Sequence, residues 1–509
     1  MARNEGAIVD PIPGGAEARQ RRRAALKGVL SVAAAMACAL AASCSSAPAK
    51  PAADAPATAE PASYRPPAAA STAKPSVEAE RVQGMEKAAA LLDKGDAETA
   101  ATKLAELAVA APDDPRLKLA QAAALVSAGK LEEARRGVDA VLADSPKDLD
   151  ALAMGAELAR FAGDEKARRS YLDRALAAAP NDSSVLGSWG DFYLDAKDWK
   201  KADDFYRRSL TVAPDSADAR LGLGRALYRQ AKYAEAEAEL SRAIELEPAS
   251  PLAYSDRSRA RYQQGKYAES EADLDAAVAK APDESWLYLD RARYRVNKQN
   301  LDGARADLDK AIALDPGYFL SYAYRGGIHE EQGRDELAIA DYRKVIELYP
   351  EYWYAFESAG ATAFRLGLWP EAAADFKKAF ASSPDRYEYA LASALALWRS
   401  GKAKEAGAFA ESIAPGVDRE KDYVYWAMLR LVQEQNDATA DLEVKIQSLK
   451  KLDVKSAMLF YLSEYWICRG KTDLAGKYLA LAEEMRREGT LEYRMLQAER
   501  RRLGARADG

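Results

Sequence analysis

Prolines recur every 34 residues through the middle of the chain. They stand at Pro112, Pro146, Pro180, Pro214, Pro248, Pro282, Pro316, Pro350 and Pro384. Proline lacks a backbone donor and disfavours helical geometry in the residue before it, so each of these prolines marks the end of a helix. A fixed period of this length is typical of repeat proteins, in which one supersecondary unit stacks on the next. The chain is therefore predicted to contain nine successive units between residues 81 and 386.

Each unit repeats the same order of small and large residues. Counted from the third residue after such a proline, positions 8 and 20 are small, whereas position 24 is large and apolar, as in Leu104, Tyr206 and Phe376. Small residues let two helices approach closely, and the large residue fills the groove between them. Glycine at position 15 of most units indicates the turn between the helices. In the third unit Arg168 replaces the small residue at position 20, and Ala167 is expected to take its place through a local shift.

The small, aromatic and proline positions of residues 81–386 resemble those of the tetratricopeptide repeat. The resemblance implies an all-α fold, a right-handed α-solenoid superhelix of antiparallel helix pairs. Residues 387–487 keep the pattern only in part, because Pro415 interrupts the tenth unit, and they are predicted to form degenerate helical pairs. Residues 488–509 are rich in Glu and Arg and are expected to form a C-terminal solvating helix and tail.

The start of the chain has the features of an export signal. A basic block at residues 21–27 precedes an alanine-rich apolar run that ends near Ser43. Residues 1–43 are therefore predicted to be a signal peptide; a membrane-spanning helix is the alternative, but the run is short for one. The sequence Leu40-Ala41-Ala42-Ser43-Cys44 resembles the lipobox of bacterial lipoproteins, which implies lipidation of Cys44. Ala41 departs from the large aliphatic residue usual there, so plain cleavage at a nearby A-x-A-like site stays open.

Residues 44–80 alternate proline with alanine and contain little that could be buried. Such a segment is expected to be disordered and extended. A lipidated cysteine followed by this linker would hold the repeats away from a membrane. We therefore expect an exported lipoprotein that faces the periplasm or the outer membrane. The Arg22-Arg23 pair also resembles a twin-arginine signal, so the export route is open.

The composition argues against several classes of function. A net charge of −6 does not favour general nucleic-acid binding, which needs a concentrated basic surface. The chain has one histidine and three cysteines, in no zinc-like spacing, so no metal, cofactor or enzymatic activity is expected. His329 is interpreted as a core histidine on a packed helix face. Cys468 is interpreted as a buried or inert thiol.

One face of the first helices is the candidate binding surface. Positions 2, 5, 9, 12 and 13 lie together on the side opposite the second helix. In tetratricopeptide proteins this side lines the concave groove where peptides bind, and we call it the inner face. It contains an arginine ladder at position 9 with aromatic residues beside it: Arg225, Arg259 and Arg293, and Tyr228, Tyr262 and Trp286. Arginine and aromatic residues are enriched in binding hot spots; a solvated, charge-balanced face is the alternative.

A second arginine set falls on the packed side of three units. Arg257, Arg291 and Arg325 occupy position 7, and an aspartate recurs at position 23 of the same units. Because a buried charge needs a partner, these residues are predicted to form structural ion pairs.

The sequence thus predicts a protein-binding scaffold in the bacterial cell envelope that holds extended partner segments in the groove. The partners would act in the assembly or export of envelope components. The alternative is a repeat subunit that recruits substrate, or binds polysaccharide or peptidoglycan, for an envelope enzyme complex. Residues 387–509 are helical in pattern and contain no histidine, which does not favour a catalytic domain in this chain.

Overall fold

A computed structural model describes residues 77–507. In this range the chain forms 25 α-helices, one short 3₁₀ helix and no strand. The predicted signal peptide, the lipidation site Cys44 and nearly all of the predicted linker lie outside the described residues. Among the described helices, none combines the length and the apolar content that crossing a bilayer requires.

The described chain divides into two compact units. The N-terminal unit, residues 77–249 with 263–265, contains the first five repeats. Its helices are α1 (Val77–Asp93), α2 (Ala97–Ala110), α3 (Pro115–Ser127), α4 (Leu131–Asp144), α5 (Leu149–Ala162), α6 (Glu165–Ala178), α7 (Ser183–Asp195), α8 (Trp199–Val212), α9 (Ala217–Arg229) and α10 (Tyr233–Leu246). Odd-numbered helices are the first helices of the repeats and even-numbered helices the second.

The C-terminal unit, residues 250–262 with 266–507, begins at the sixth repeat. Its repeat helices are α11 (Pro251–Gln263), α12 (Tyr267–Lys280), α13 (Ser285–Asn297), α14 (Leu301–Leu314), α15 (Phe319–Glu331), α16 (Asp335–Leu348), α17 (Trp353–Leu366), α18 (Trp369–Ser382), α19 (Tyr387–Arg399) and α20 (Ala403–Ile413). Beyond them lie α21 (Tyr423–Glu434), α22 (Ala440–Ser448), α23 (Leu452–Cys468), α24 (Thr472–Glu484) and α25 (Leu491–Ala507).

Local sequence explains where the helices begin and turn. Aspartate caps several of them; the Asp148 carboxylate, for example, accepts a 2.8 Å hydrogen bond from the backbone N–H of Ala151. Position 15 adopts the left-handed conformation in the turn between helices, as at Gly163 with φ 73°. In the fifth repeat that position is Ala231, with φ 59°. The turn geometry is therefore retained even where a side chain makes it unfavourable.

The contact between the small and large positions is as predicted. A Cβ atom on Gly224 would lie 2.6 Å from the Leu240 side chain, and one on Gly360 would lie 3.0 Å from the Phe376 ring. The large residue at position 24 thus packs directly on the backbone of the first helix at position 8. This packing recurs in both units, and the predicted all-α solenoid of helix pairs is confirmed.

The third repeat differs from the prediction at position 20. Arg168 itself occupies the buried place, with 1 % of its surface exposed, and Ala167 does not replace it. The guanidinium donates to Asp195 at 3.0 Å and lies 5.2 Å from the centroid of the Phe192 ring. An ion pair and an aromatic face compensate the buried charge, so no shift of the helix is needed.

The region after the ninth repeat keeps helix pairs with altered lengths. The pair α19 and α20 is cut short by a 3₁₀ turn at Ala414–Gly416, which contains Pro415. Two further helices, α21 and α22, follow it within the residues predicted to form degenerate helical pairs. The repeat pattern then resumes in α23 and α24, whose turn contains Gly470 with φ 74°.

Candidate partner-binding face

The arginines at position 7 form the structural ion pairs that the sequence predicts. Arg291 donates two hydrogen bonds to the Asp307 carboxylate, at 2.6 and 3.0 Å. Arg295, at position 11, reaches the same carboxylate at 2.7 Å. The sixth repeat has the same arrangement around Asp273. Because these carboxylates are almost fully buried, the arginines are committed to holding the two helices together.

His329 takes the place of the position 11 arginine in the eighth repeat. It is buried, and its Nε2 atom lies 3.9 Å from the Asp341 carboxylate, which Arg325 also contacts at 2.7 Å. Burial lowers the pKa of His329, which favours the neutral imidazole. The histidine therefore replaces a structural arginine, as expected for a core residue.

The ladder arginines of the C-terminal unit lie on the inner face and reach toward the next repeat. The Arg259 guanidinium donates to Asp290 at 2.6 Å and to Asp256 at 3.1 Å. Both aspartates occupy position 6, and Asp290 also accepts a hydrogen bond from Ser255. The Arg259 side chain remains 39 % exposed. Its guanidinium is therefore held in a fixed direction with part of its surface open to solvent.

Arg293 makes the equivalent reach with a different partner. Its guanidinium lies 5.8 Å from the centroid of the Tyr324 ring, again at position 6 of the following repeat. A link from position 9 to position 6 of the next repeat therefore recurs in both cases. The sequence pattern does not predict this link, although Asp290 and Tyr324 recur at position 6 of successive repeats.

The two aromatic residues of this unit have different surroundings. Tyr262 packs edge-on against Tyr267 and Tyr294, with ring centroids 5.3 and 5.9 Å away, and is half-buried. Trp286 packs beside a small buried cluster that includes Leu287 and Tyr288. Tyr262 lies on the same helix as Arg259, and Trp286 lies on the same helix as Arg293. Trp286 also contributes to the core.

Arg225 and Tyr228 belong to the N-terminal unit, where acidic residues share the inner face. Both residues are partly exposed on α9. Asp191, at position 9 of the preceding repeat, accepts a 2.6 Å hydrogen bond from the Tyr206 hydroxyl. Glu157 occupies the same position one repeat earlier. The ladder position is therefore acidic before it becomes basic.

The helix α25 was expected to be a solvating cap, but one of its faces is packed. Leu491, Met495, Leu496 and Ala498 are at most 6 % exposed. Its charged residues contact inner-face positions of repeats eight to ten. Arg494 donates to Glu330 at 2.7 and 2.9 Å and to Glu357 at 3.2 Å. The abundance of Glu and Arg suggested solvation, whereas these charges find partners on other helices.

Buried carboxylates of α25 and of α23 complete this contact. Arg399 donates to Glu499 at 3.1 Å and to Glu464 at 2.7 Å, and both carboxylates are almost fully buried. Burial and the neighbouring Glu499 raise the pKa of Glu464, against the opposing effect of Arg399. Glu492 accepts a 2.6 Å hydrogen bond from Tyr461. Burial raises the pKa of Glu492 to about 7.

Residues 77–507 contain no group of histidine, cysteine and acidic side chains that could hold a metal ion. Cys468 lies in α23, with its sulfur 3.9 Å from the Leu395 carbonyl oxygen. Burial raises the pKa of the Cys468 thiol, which favours the unreactive protonated form. The candidate site is therefore a surface built from arginine, aromatic and acidic side chains.

Comparisons with known proteins agree with the repeat pattern. Two family models described as tetratricopeptide repeat match, one over residues 193–259 and the other over 289–352 and 359–419. A tetratricopeptide repeat protein from Parabacteroides merdae is similar at 21% identity over 48% of this chain and 97% of that chain, with a TM-score of 0.40. Human IFIT1 is similar at 18% identity over 74% of this chain and 91% of that chain, with a TM-score of 0.38. No curated protein matches the sequence significantly.

Proposed function

Because the chain carries tetratricopeptide repeats, we propose that it is a non-catalytic scaffold that holds segments of partner proteins on the inner face. The observation that carries this proposal is the geometry of Arg259 and Arg293. Each guanidinium is oriented by a residue of the next repeat, and Arg259 retains exposed surface. An oriented arginine loses little side-chain entropy when it binds a carboxylate or stacks on a ring.

We propose that the partner segment is extended and carries carboxylates. Successive position 9 arginines in the C-terminal unit would each meet a different part of such a segment. Asp290 and Asp256 balance much of the charge of Arg259, so a new carboxylate must share this guanidinium with them. We therefore expect several modest contacts, each of about 0.5–1 kcal/mol at the rim and up to about 2 where water is excluded.

The proposal is tested with a partner captured by a photocrosslinking residue placed at Tyr262 in intact cells. Replacing Arg225, Arg259 and Arg293 with alanine should weaken the affinity of the purified partner by about tenfold or more. Added salt should also lower the affinity of the unmodified protein for the partner.

Two exposed lysines on second helices provide the control. A chain with Lys310→Ala and Lys378→Ala loses positive charge but keeps the inner face. It should retain nearly full affinity, and circular dichroism should show equal helicity in both variants. Full affinity of the triple arginine variant would refute the role of the ladder. Capture of polysaccharide rather than protein at Tyr262 would favour the glycan-binding alternative.

We also propose that the protein is exported and anchored to an envelope membrane by a lipid on Cys44. The support is the basic block, the apolar run and the lipobox-like sequence before this cysteine. Cys44→Ala should release the protein from membranes, because the variant lacks the thiol that would carry the lipid anchor. Membrane fractionation followed by salt extraction measures this. A variant that remains in the membrane pellet after salt extraction would show that the anchor lies elsewhere.

A further inference from the structure

The helix α25 occupies the part of the molecule that the repeat pattern assigns to a partner. Glu330 is position 12 of the eighth repeat, Glu357 is position 5 of the ninth and Arg399 is position 13 of the tenth. All three belong to the inner-face set, and all three contact α25. In repeats eight to ten, a helix of the same chain therefore lies where an external ligand would bind.

The polar contacts of α25 form a specific charge pattern. Near its start, Arg494 bridges Glu330 and Glu357. At its middle, Glu499 pairs with Arg399. Nearer its end, Arg502 donates to backbone carbonyl oxygens at the end of α17, including Phe364 at 3.1 Å. These are charge-assisted hydrogen bonds in half-buried surroundings, where they are stronger than on an open surface.

The Glu330 carboxylate depends on a cation from the ligand position. Burial alone would raise its pKa, but Arg494 and Arg365 overcome this effect and lower the pKa to about 2. Without Arg494, Glu330 would retain Arg365, which is also shared with Asp335. The inner face of these repeats is therefore suited to a ligand that presents an arginine at this point.

The apolar contacts of α25 have the spacing of a helix laid into a groove. Leu491, Met495 and Ala498 are separated by four and three residues, which places them on one side of the helix, and Leu496 extends that side. Binding of an amphipathic helix through such a stripe is a common mode of peptide recognition. A partner helix with the same stripe would bury a similar apolar area.

We propose that α25 is an internal ligand, and that a partner's amphipathic helix with the same pattern binds repeats eight to ten by displacing it. The pattern is an arginine facing Glu330 and Glu357, an apolar stripe, and a carboxylate facing Arg399. This proposal rests on the inner-face function proposed above and names the class of partner for one part of that face. Since α25 is tethered, it competes at a high effective concentration and keeps the site closed to weak ligands.

The proposal is tested on the full chain with a fluorescent synthetic peptide of residues 488–507 as the probe. Arg494→Glu places a third carboxylate beside Glu330 and Glu357 and should expel the chain's own helix. The apparent affinity of a competed site scales with the fraction of open molecules. The peptide, which retains its arginine, should therefore bind the Arg494→Glu chain at least about tenfold more tightly than the unmodified chain.

Arg501→Glu is the matched control, because Arg501 is an exposed residue of the same helix. Its chain should bind the peptide as weakly as the unmodified protein does. Hydrogen exchange of the unmodified chain gives a second readout that needs no variant. Excess peptide should accelerate exchange of the chain's own α25 while α23 stays protected.

Two results would overturn the proposal. One is a peptide that binds neither chain while α25 exchanges no faster than α23, which would make α25 a permanent part of the core. The other is equal binding to all three chains, which would place the peptide at another site. Both readouts use the peptide alone, so they are independent of whether the arginine ladder binds a cellular partner.

Discussion

Adjacent glycines in α15 offer a direct test of the packing between small and large positions. Gly326 is position 8 of the eighth repeat, and a Cβ atom there would lie 2.9 Å from the Tyr342 ring and 3.3 Å from the Asp341 Cβ. On Gly327 the same added atom would meet nothing within 4 Å. The two residues therefore differ in packing while sharing one helix.

The expected magnitudes follow from that difference. Replacing a glycine inside a helix with alanine stabilises it by about 0.8–1 kcal/mol, and both variants gain this. Gly326→Ala must also displace the Tyr342 ring, which is 5 % exposed and fixed by a 2.8 Å hydrogen bond from its hydroxyl to Glu330. Overpacking of this kind costs about 1–3 kcal/mol. Gly327→Ala should therefore be more stable than Gly326→Ala by about 1–3 kcal/mol.

Hydrogen exchange of the α15 amides is the suitable assay, because repeat units unfold locally rather than in one step. The amides of α15 should exchange more slowly in Gly327→Ala than in the unmodified protein. They should exchange faster in Gly326→Ala than in Gly327→Ala. The distant helix α20 should exchange alike in both variants. Equal slowing in the two variants would mean that position 8 tolerates a side chain, and the close packing of Tyr342 on Gly326 would then not limit stability.

The remaining predictions concern a turn, a buried carboxyl group and an ion pair. Ala231→Gly should raise the free energy of local opening of α9 and α10 by up to about 1 kcal/mol in hydrogen exchange, because φ 59° suits glycine. Burial raises the pKa of Glu492 to about 7, so between about pH 5 and 7 the folded state retains a proton that the unfolded state releases. The free energy of unfolding of the unmodified protein should therefore fall as pH rises through this range. Glutamine cannot ionise, so the melting temperature of Glu492→Gln should increase relative to that of the unmodified protein as pH rises from about 5 to 7. A difference in melting temperature that does not change with pH would contradict this. Asp307→Ala should cost about 1.5–3 kcal/mol, because the half-buried Arg291 and Arg295 lose their shared carboxylate while Arg291 keeps Asp275 at 2.8 Å; a loss under about 0.5 kcal/mol by hydrogen exchange of α13 and α14 would contradict the pairing.

The features that could be predicted from the sequence are those that repeat. The contact between positions 8 and 24 and the pairs between positions 7 and 23 recur with the period, so one chain offers several examples of each. Physical reasoning on small residues and buried charges then assigns their roles. Arg168 also occupies the buried position 20 of its repeat, because a nearby carboxylate and an aromatic ring compensate the burial of its charge.

The features that escaped prediction depend on contacts between residues far apart in the sequence. Arg494 and Glu330 are separated by 164 residues, and no periodic pattern connects them. A segment rich in Glu and Arg is usually solvated, and only the partners on α15, α17 and α19 reverse this expectation. The arginine ladder lies between these cases. Its position was predictable, but Asp290 orients Arg259 through the link from position 9 to position 6 of the next repeat, and that link is visible only in the three-dimensional arrangement.

The inner face of the first helices is proposed to hold protein segments, and the position of crosslinks to a partner tests this. Photocrosslinking residues placed one at a time in intact cells provide this test, with the partly exposed Tyr228 and Tyr262 as inner-face sites and Lys310 and Lys378 as exposed second-helix sites. We expect discrete protein adducts at the inner-face sites and few or none at the lysines. Adducts confined to the second-helix sites would contradict this proposal, because the partner would then bind the opposite side of the repeats.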